Sequence, residues 1–263
     1  MKTDMTQTLS KPSIQPRFHK HKALASTLSI ITLFVSLFIC SSAQAQRVSP
    51  MVFELEPFGS RSSTSLRIEN TKQRPLTIEV SASQLSTDLY GREALKPADD
   101  DFLLFPPQAI IQPGKTQIIR VKYIGEPKLD QSQAYRIAVK QLPINIKEEG
   151  TTNIGIAFNF FTLLNITPKK TKPLLNIEKI SPLDNQKWQL TIVNSGDRFA
   201  RLSTTEWNIS DTENKKTNLT LNPFEVSKLS EINFIAPKQT LVLSIPAIDG
   251  FKANTTKIAI LTK

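Results

Sequence analysis

From Asn153 to Thr167 the chain reads NIGIAFNFFTLLNIT, and apolar side chains recur at every second position: Ile154, Ile156, Phe158 and Phe160. A period of two predicts a β-strand with one strongly apolar face. Gly155, Ala157 and Asn159 keep the other face small at first, whereas Phe161 and Leu163 make the second half apolar on both sides. Such a run is either the central strand of a sandwich or a strand that lends its side chains to another protein. The pattern by itself supports both.

The rest of the chain alternates in the same way. Strands are predicted at Val52–Leu55, Ser63–Glu69, Leu76–Ala82, Phe102–Phe105, Ala109–Ile111, Thr116–Tyr123 and Ala134–Leu142. Pro113-Gly114 marks a turn between two of them. Pro168-Lys169-Lys170-Thr171-Lys172-Pro173 sets three lysines between two prolines and reads as a linker with little to pack. Beyond it, strands resume at 174–180, 188–193, 200–207, 217–221, 231–235, 240–245 and 257–261. No window sustains a helical period beyond two turns. Short strands rich in Val, Ile, Thr and Phe, with turn signals about every 8–12 residues, predict an all-β chain of two sandwiches.

The first 45 residues depart from this pattern. Arg17, His19, Lys20, His21 and Lys22 form a basic patch, Ala23–Ile39 is apolar, and Ser42-Ala43-Gln44-Ala45 supplies an Ala-x-Ala site. That order predicts a secretory signal peptide cleaved after Ala45, with no stable membrane anchor left behind. The mature part then has 218 residues, divided as 46–167, the linker 168–173, and 174–263. The whole chain carries +10, of which the leader holds +4, so the mature part keeps +6. Its basic residues are scattered over loops and strand edges, which speaks against nucleic acid as a partner and suits an acidic one.

Chemistry is hard to place on this chain. Cys40, His19 and His21 all fall in the leader, so the mature part has neither cysteine nor histidine. This excludes disulfides, Ser-His-Asp and Cys-His arrangements, and the common zinc sites. Asp99–Asp101 and Glu148-Glu149 are the carboxylate runs, but both lie in loops, where such runs are usually solvated. Neither has the spaced ligands of a calcium loop. With eight glycines in all and no Gly-rich phosphate loop, the expectation is a binding protein with no catalytic residue, metal or cofactor.

Three segments in order then carry a resemblance. Phe105-Pro106-Pro107, Ile110-Ile111-Gln112-Pro113-Gly114-Lys115 and Ile119-Arg120-Val121 look like the central signature of the periplasmic pilus-assembly chaperones. Ala134–Pro143 is similar to the strand that follows in that family, and the alternating run at 153–167 falls where the family has its donor strand. Through Val193-Asn194 and Ala247–Gly250 the second half matches more loosely. The resemblance implies two immunoglobulin-like sandwiches in an L or boomerang arrangement. It implies that pilus subunits lacking a strand are capped by a loaned one and passed to an outer-membrane usher. By position the donor residues are Ile154, Ile156, Phe158 and Phe160, with Thr162 next in the row. A free protein that masks its own donor strand by dimerising is a further expectation of the same kind.

One departure concerns the cleft. The best-known members hold the subunit's terminal carboxylate with two cations, at positions that fall here near Met51 and Leu163, neither of them basic. Arg136, Lys140 and Arg47 are the candidate replacements, while Arg120 matches a scaffold position. The alternative to a chaperone is an exported β-sandwich adhesin or surface module. A carbohydrate-active sandwich would need paired carboxylates and aromatic platforms, and Trp188 and Trp207 sit in predicted strands as core residues.

Overall fold

Alternating sequence becomes paired strand along most of its length. The computed structural model describes residues 46–142, 157–214 and 216–262. The leader, the Glu148-Glu149 loop and two of the four predicted donor residues, Ile154 and Ile156, lie outside the described residues.

The first sandwich uses ten strands: β1 (Arg47–Ser49), β2 (Val52–Leu55), β3 (Ser63–Glu69), β4 (Leu76–Thr87), β5 (Glu93–Pro97), β6 (Phe102–Phe105), β7 (Gln108–Ile111), β8 (Thr116–Tyr123), β9 (Gln133–Gln141) and β10 (Asn159–Ile166). One sheet runs β1-β3-β8-β6, the other β2-β10-β9-β4-β5 with β7 also on β4. Period-two alternation fixes which face is inside. On β8, Ile119, Val121 and Tyr123 are buried while Ile118, Arg120 and Lys122 face water. Leu66, Ile68 and Ile119 from one sheet meet Ile78, Ile137, Leu164 and Ile166 from the other, all fully buried. Each such side chain contributes about 1.5–3 kcal/mol relative to exposure. The strand predicted to end at Ala82 continues to Thr87, and β5 was not predicted. Every β5 residue is exposed, so it has no alternation to read, and its pairing with β4 makes it a strand.

The second sandwich contains β11 (Leu175–Pro182), β12 (Lys187–Asn194), β13 (Ala200–Arg201), β14 (Thr205–Asp211), β15 (Asn218–Leu221), β16 (Phe234–Ile235), β17 (Gln239–Pro246) and β18 (Thr256–Thr262). Its sheets are β11-β12-β17 and β15-β14-β18, with β13 and β16 as a separate pair. Trp188, Leu190 and Ile192 face Trp207, Ile209 and Ile258 across a second, separate core. Both tryptophans are therefore core residues, and Trp207 donates its indole N–H to Thr205 Oγ1 at 2.9 Å. A seven-residue helix, α1 (Pro223–Leu229), was not predicted. Its signal is local rather than periodic: Asn222 caps Phe224 and Glu225, Pro223 opens the helix, and Glu225 reaches back to the Asn222 N–H.

The two sandwiches share a keystone. Asn70 donates to the carbonyls of Arg74 and Ile111 and accepts from the Lys72 N–H. Asn194 donates to the carbonyls of Arg198 and Ala236 and accepts from Gly196 and Leu174. Asn194 ends its strand and Asn70 directly follows one; each is fully buried, and each sits two residues after an isoleucine and four before an arginine. The same fragment thus closes a similar turn in both halves.

The three lysines of the linker are exposed, but its backbone is tied down. The Lys172 carbonyl accepts from Asp197 N at 3.1 Å and Arg198 N at 3.3 Å, and Thr171 is buried. Gly196 is what permits this approach. A Cβ there would collide with the Lys172 carbonyl and come within 2.6 Å of Leu174 N. Ser132 ties the halves together, donating its N–H to the Asp197 carbonyl and accepting from Phe199 N. Arg198 Nη2 lies 2.6 Å from Glu54 Oε2, and Phe234, stacked on Phe199, packs against Leu85, Ala134 and Leu163. The tip of the β4–β5 hairpin reaches the second sandwich as well, where Leu89 O accepts from Val242 N at 2.7 Å.

Candidate strand-donating site

β10 is paired on one side along its whole length and on the other for only half of it. Against β9 the register runs from Asn159↔Lys140 to Ile166↔Gln133. Against β2 it begins at Leu163↔Val52 and ends at Ile166↔Leu55, in parallel. Two bonds fix the direction of the backbone groups. Gln141 N donates to Phe158 O at 2.9 Å, so Phe158, Phe160 and Thr162 turn their backbone toward β9. Leu163 N donates to Met51 O at 2.8 Å, so the odd residues turn theirs the other way. The N–H and C=O of Asn159 and Phe161 therefore face an edge that no strand occupies among the described residues. Unpaired strand edges of this kind are templates for another strand.

The side chains form one continuous row. Ile166 and Leu164 are fully buried in the first core, Thr162 is buried with its hydroxyl donating to Ile137 O at 3.3 Å, and Phe160 packs partly against that core. Phe158 is half-buried at the rim, its ring 3.9 Å from the Lys72 ammonium. The row thus leads out of the sandwich toward the open edge. On the opposite face Phe161 is 43% exposed, whereas Leu163 is covered by Phe234 of the second sandwich. The apolar outer face at Leu163 follows from this, because that part of β10 lies between the core and the neighbouring sandwich, whereas Phe161 stays in the open.

The three candidate cations separate. Arg136 stands directly opposite Leu163 on the outer face of the larger sheet, its guanidinium held bidentately by Glu93. Lys140 lies on the same face opposite Asn159 and Glu79, and is exposed. Arg47 belongs to β1 in the other sheet, 3.8 Å from Glu69. Arg120 is on the exposed outer face of that sheet as well. Glu93 was invisible to sequence reading because its strand was, and Lys72 because nothing in a loop sequence says which ring it will cover.

The carboxylate run is scaffold. Asp99 Oδ1 accepts from Ala82 N at 2.7 Å, and Asp101 Oδ2 lies 3.0 Å from the Tyr135 hydroxyl. Tyr135 packs edge-on against Phe102 and beside Tyr123. Burial, then the charges of Tyr123 and Asp101, push the Tyr135 hydroxyl well above the ordinary tyrosine value of 10.0. The folded state thus holds this proton more tightly than the unfolded chain. Its contribution to stability is complete below pH 10 and is lost as pH rises beyond it. Tyr135→Phe is expected to flatten the alkaline limb of a stability-against-pH curve from urea unfolding, and an unchanged limb would count against the burial argument. No group of three or more acidic, histidine or cysteine side chains fit for a metal occurs among the described residues.

Comparison with known proteins places this geometry. Residues 55–172 match the pili and flagellar-assembly chaperones, PapD N-terminal domain. Over these residues the chain is similar to the N-terminal domain of the pilus-assembly chaperones. No curated protein matches in sequence. Among solved structures, the class 5 fimbriae chaperone CfaA is similar over 83% of this chain and all of its own, at 14% identity and a TM-score of 0.54. A chain of the CsuC–CsuE chaperone–tip adhesion subunit complex of Acinetobacter baumannii is similar over 83% and 98%, at 16% identity and a TM-score of 0.53. A chain of the Salmonella enterica SafA pilin–SafB chaperone complex follows over 79% and 86%, at 12% identity and 0.50. At these identities the likeness is one of fold, and it spans both sandwiches of a pilus-assembly chaperone. The family is one of chaperones rather than enzymes.

Proposed function

We propose that this chain is exported, loses its leader after Ala45, and acts in the periplasm on pilus subunits. It completes a subunit's unfinished sandwich with the strand 154–160 and hands the capped subunit to an outer-membrane usher. The first domain, 46–167, supplies the strand; 168–173 ties it to the second, 174–263. One observation carries the reading: the core-facing row of β10 runs past the last residue that β2 pairs, beside a backbone edge that no strand occupies among the described residues. A strand so placed can add main-chain hydrogen bonds to a partner sheet while Phe158 and Phe160 fill its pockets. Ile154 and Ile156 extend the same parity and complete the donor set. Binding alone does this, with no cofactor and no catalytic step.

Arg136 is the proposed anchor for the subunit's terminal carboxylate. It sits one strand away from Leu163, where the resemblance places a cation, and Lys140 stands farther along the same face. Glu93 holds the guanidinium until a carboxylate replaces it. The direct test is co-expression in the periplasm with a pilus subunit encoded beside an usher, followed by affinity purification through this chain. A one-to-one complex is expected. Subunit that accumulates as aggregate or is degraded, with none bound, would overturn the reading.

A further inference from the structure

Lys72 sits over Phe158 without an ion-pair partner among the described residues, on a loop tied to Asn70 by the bond from its N–H. The loop is fixed by the Asn70 keystone. Beyond the three side-chain bonds already described, Asn70 N donates to Lys115 O at 3.0 Å and Gly114 N to Asn70 O at 2.8 Å. Phe158 is held from the other side, where its carbonyl accepts from Gln141 N and its own N–H points at Gln141 Oε1 at 3.3 Å.

A cation on an aromatic face is favourable while water still reaches the ammonium. Seating Phe158 in a partner's pocket removes that water, and an ammonium buried without a counter-charge is strongly disfavoured. We propose that Lys72 is a specificity residue: it caps Phe158 in the free protein and, on capture, pairs with a carboxylate at the mouth of the subunit's groove. Subunits with an acidic residue there are captured quickly, and those with a basic one are rejected. This rests on the donor-strand reading above.

Two measurements test it. In the free mature chain, Phe158→Trp places a fluorescent ring beneath Lys72. Iodide, an anion, is expected to quench it about twofold more strongly with Lys72 present than in the Lys72→Met variant, with neutral acrylamide quenching both alike, because a nearby cation concentrates the anion. Equal iodide quenching would overturn the cap. The second measurement follows capture of the co-purifying pilus subunit, released in urea and diluted into chaperone. Lys72→Met is expected to slow association about three- to tenfold at low salt and to leave it unchanged at about 0.5 M, as expected for a steering charge. Lys72→Glu slows it further, and Lys72→Arg restores it. Association with the same rate and salt dependence in all variants would overturn the proposal while leaving strand donation intact. Failure of the wild-type chain to capture any subunit would instead remove the donor reading, and this inference with it.

Discussion

Phe158→Asp is expected to abolish capture of a pilus subunit while the chain stays folded. The ring is half-buried at the rim of its own sandwich, touching a lysine rather than the core, so the free protein loses little. An aspartate there even finds Lys72 as a partner. In a complex the consequences reverse. The apolar pocket loses about 1.5–3 kcal/mol of side-chain burial. A carboxylate forced into it adds a desolvation cost of several kcal/mol. Together these amount to about 4 kcal/mol or more, roughly a thousandfold or greater in affinity. Phe158→Leu keeps most of the apolar volume and is expected to keep most of the binding. The measurement is co-purification with the subunit, with urea unfolding of the free variant as the control for folding. A complex of wild-type strength in the aspartate variant, with the fold intact, would mean that this row does not enter the partner.

Much of this site was legible because strands carry a period that survives without a structure. Phe158 and Phe160 were read as one face from alternation alone, and the structure keeps them on one face, continuous with Leu164 and Ile166. Burial alternates on β8 in the same way. Alternation cannot report where pairing stops, however. That β2 meets β10 only from Leu163 onward depends on a short strand more than a hundred residues earlier in the chain. β5 escaped because an exposed edge strand has no apolar face. The helix α1 escaped because seven residues are too few for a periodic signal, although its capping box was present in the letters. The ties of the linker are hidden for a different reason. Its own residues look unpackable, and what holds it is the missing side chain of Gly196, more than twenty residues away.

Asn194→Ala is expected to destabilise the second sandwich severely, and through it to weaken capture. The side chain is fully buried and joins four backbone groups: the N–H groups of Leu174 and Gly196, and the carbonyls of Arg198 and Ala236. Truncation leaves four polar groups without partners at once. Each such group costs about 1–3 kcal/mol when water cannot reach it. Partial relaxation of the turn and entry of water reduce the sum, so a loss of about 3–5 kcal/mol is expected in urea unfolding. Asn194→Asp keeps the two accepting bonds, loses the two donated ones, and should fall between. The equivalent change at Asn70 removes three such bonds in the first sandwich. Its cost is local stability and the position of Lys72. The change at Asn194 reaches farther. The turn it closes carries Arg198 to Glu54 and Phe199 to Ser132, and it seats the linker carbonyl of Lys172. Loosening that turn frees the second sandwich from the sheet that contains β10, so the surviving folded fraction is expected to bind subunit more weakly as well. An Asn194→Ala chain that loses less than about 1 kcal/mol, with capture unchanged, would show that the turn is held by its backbone alone and that the repeated asparagine is not what sets the two halves together.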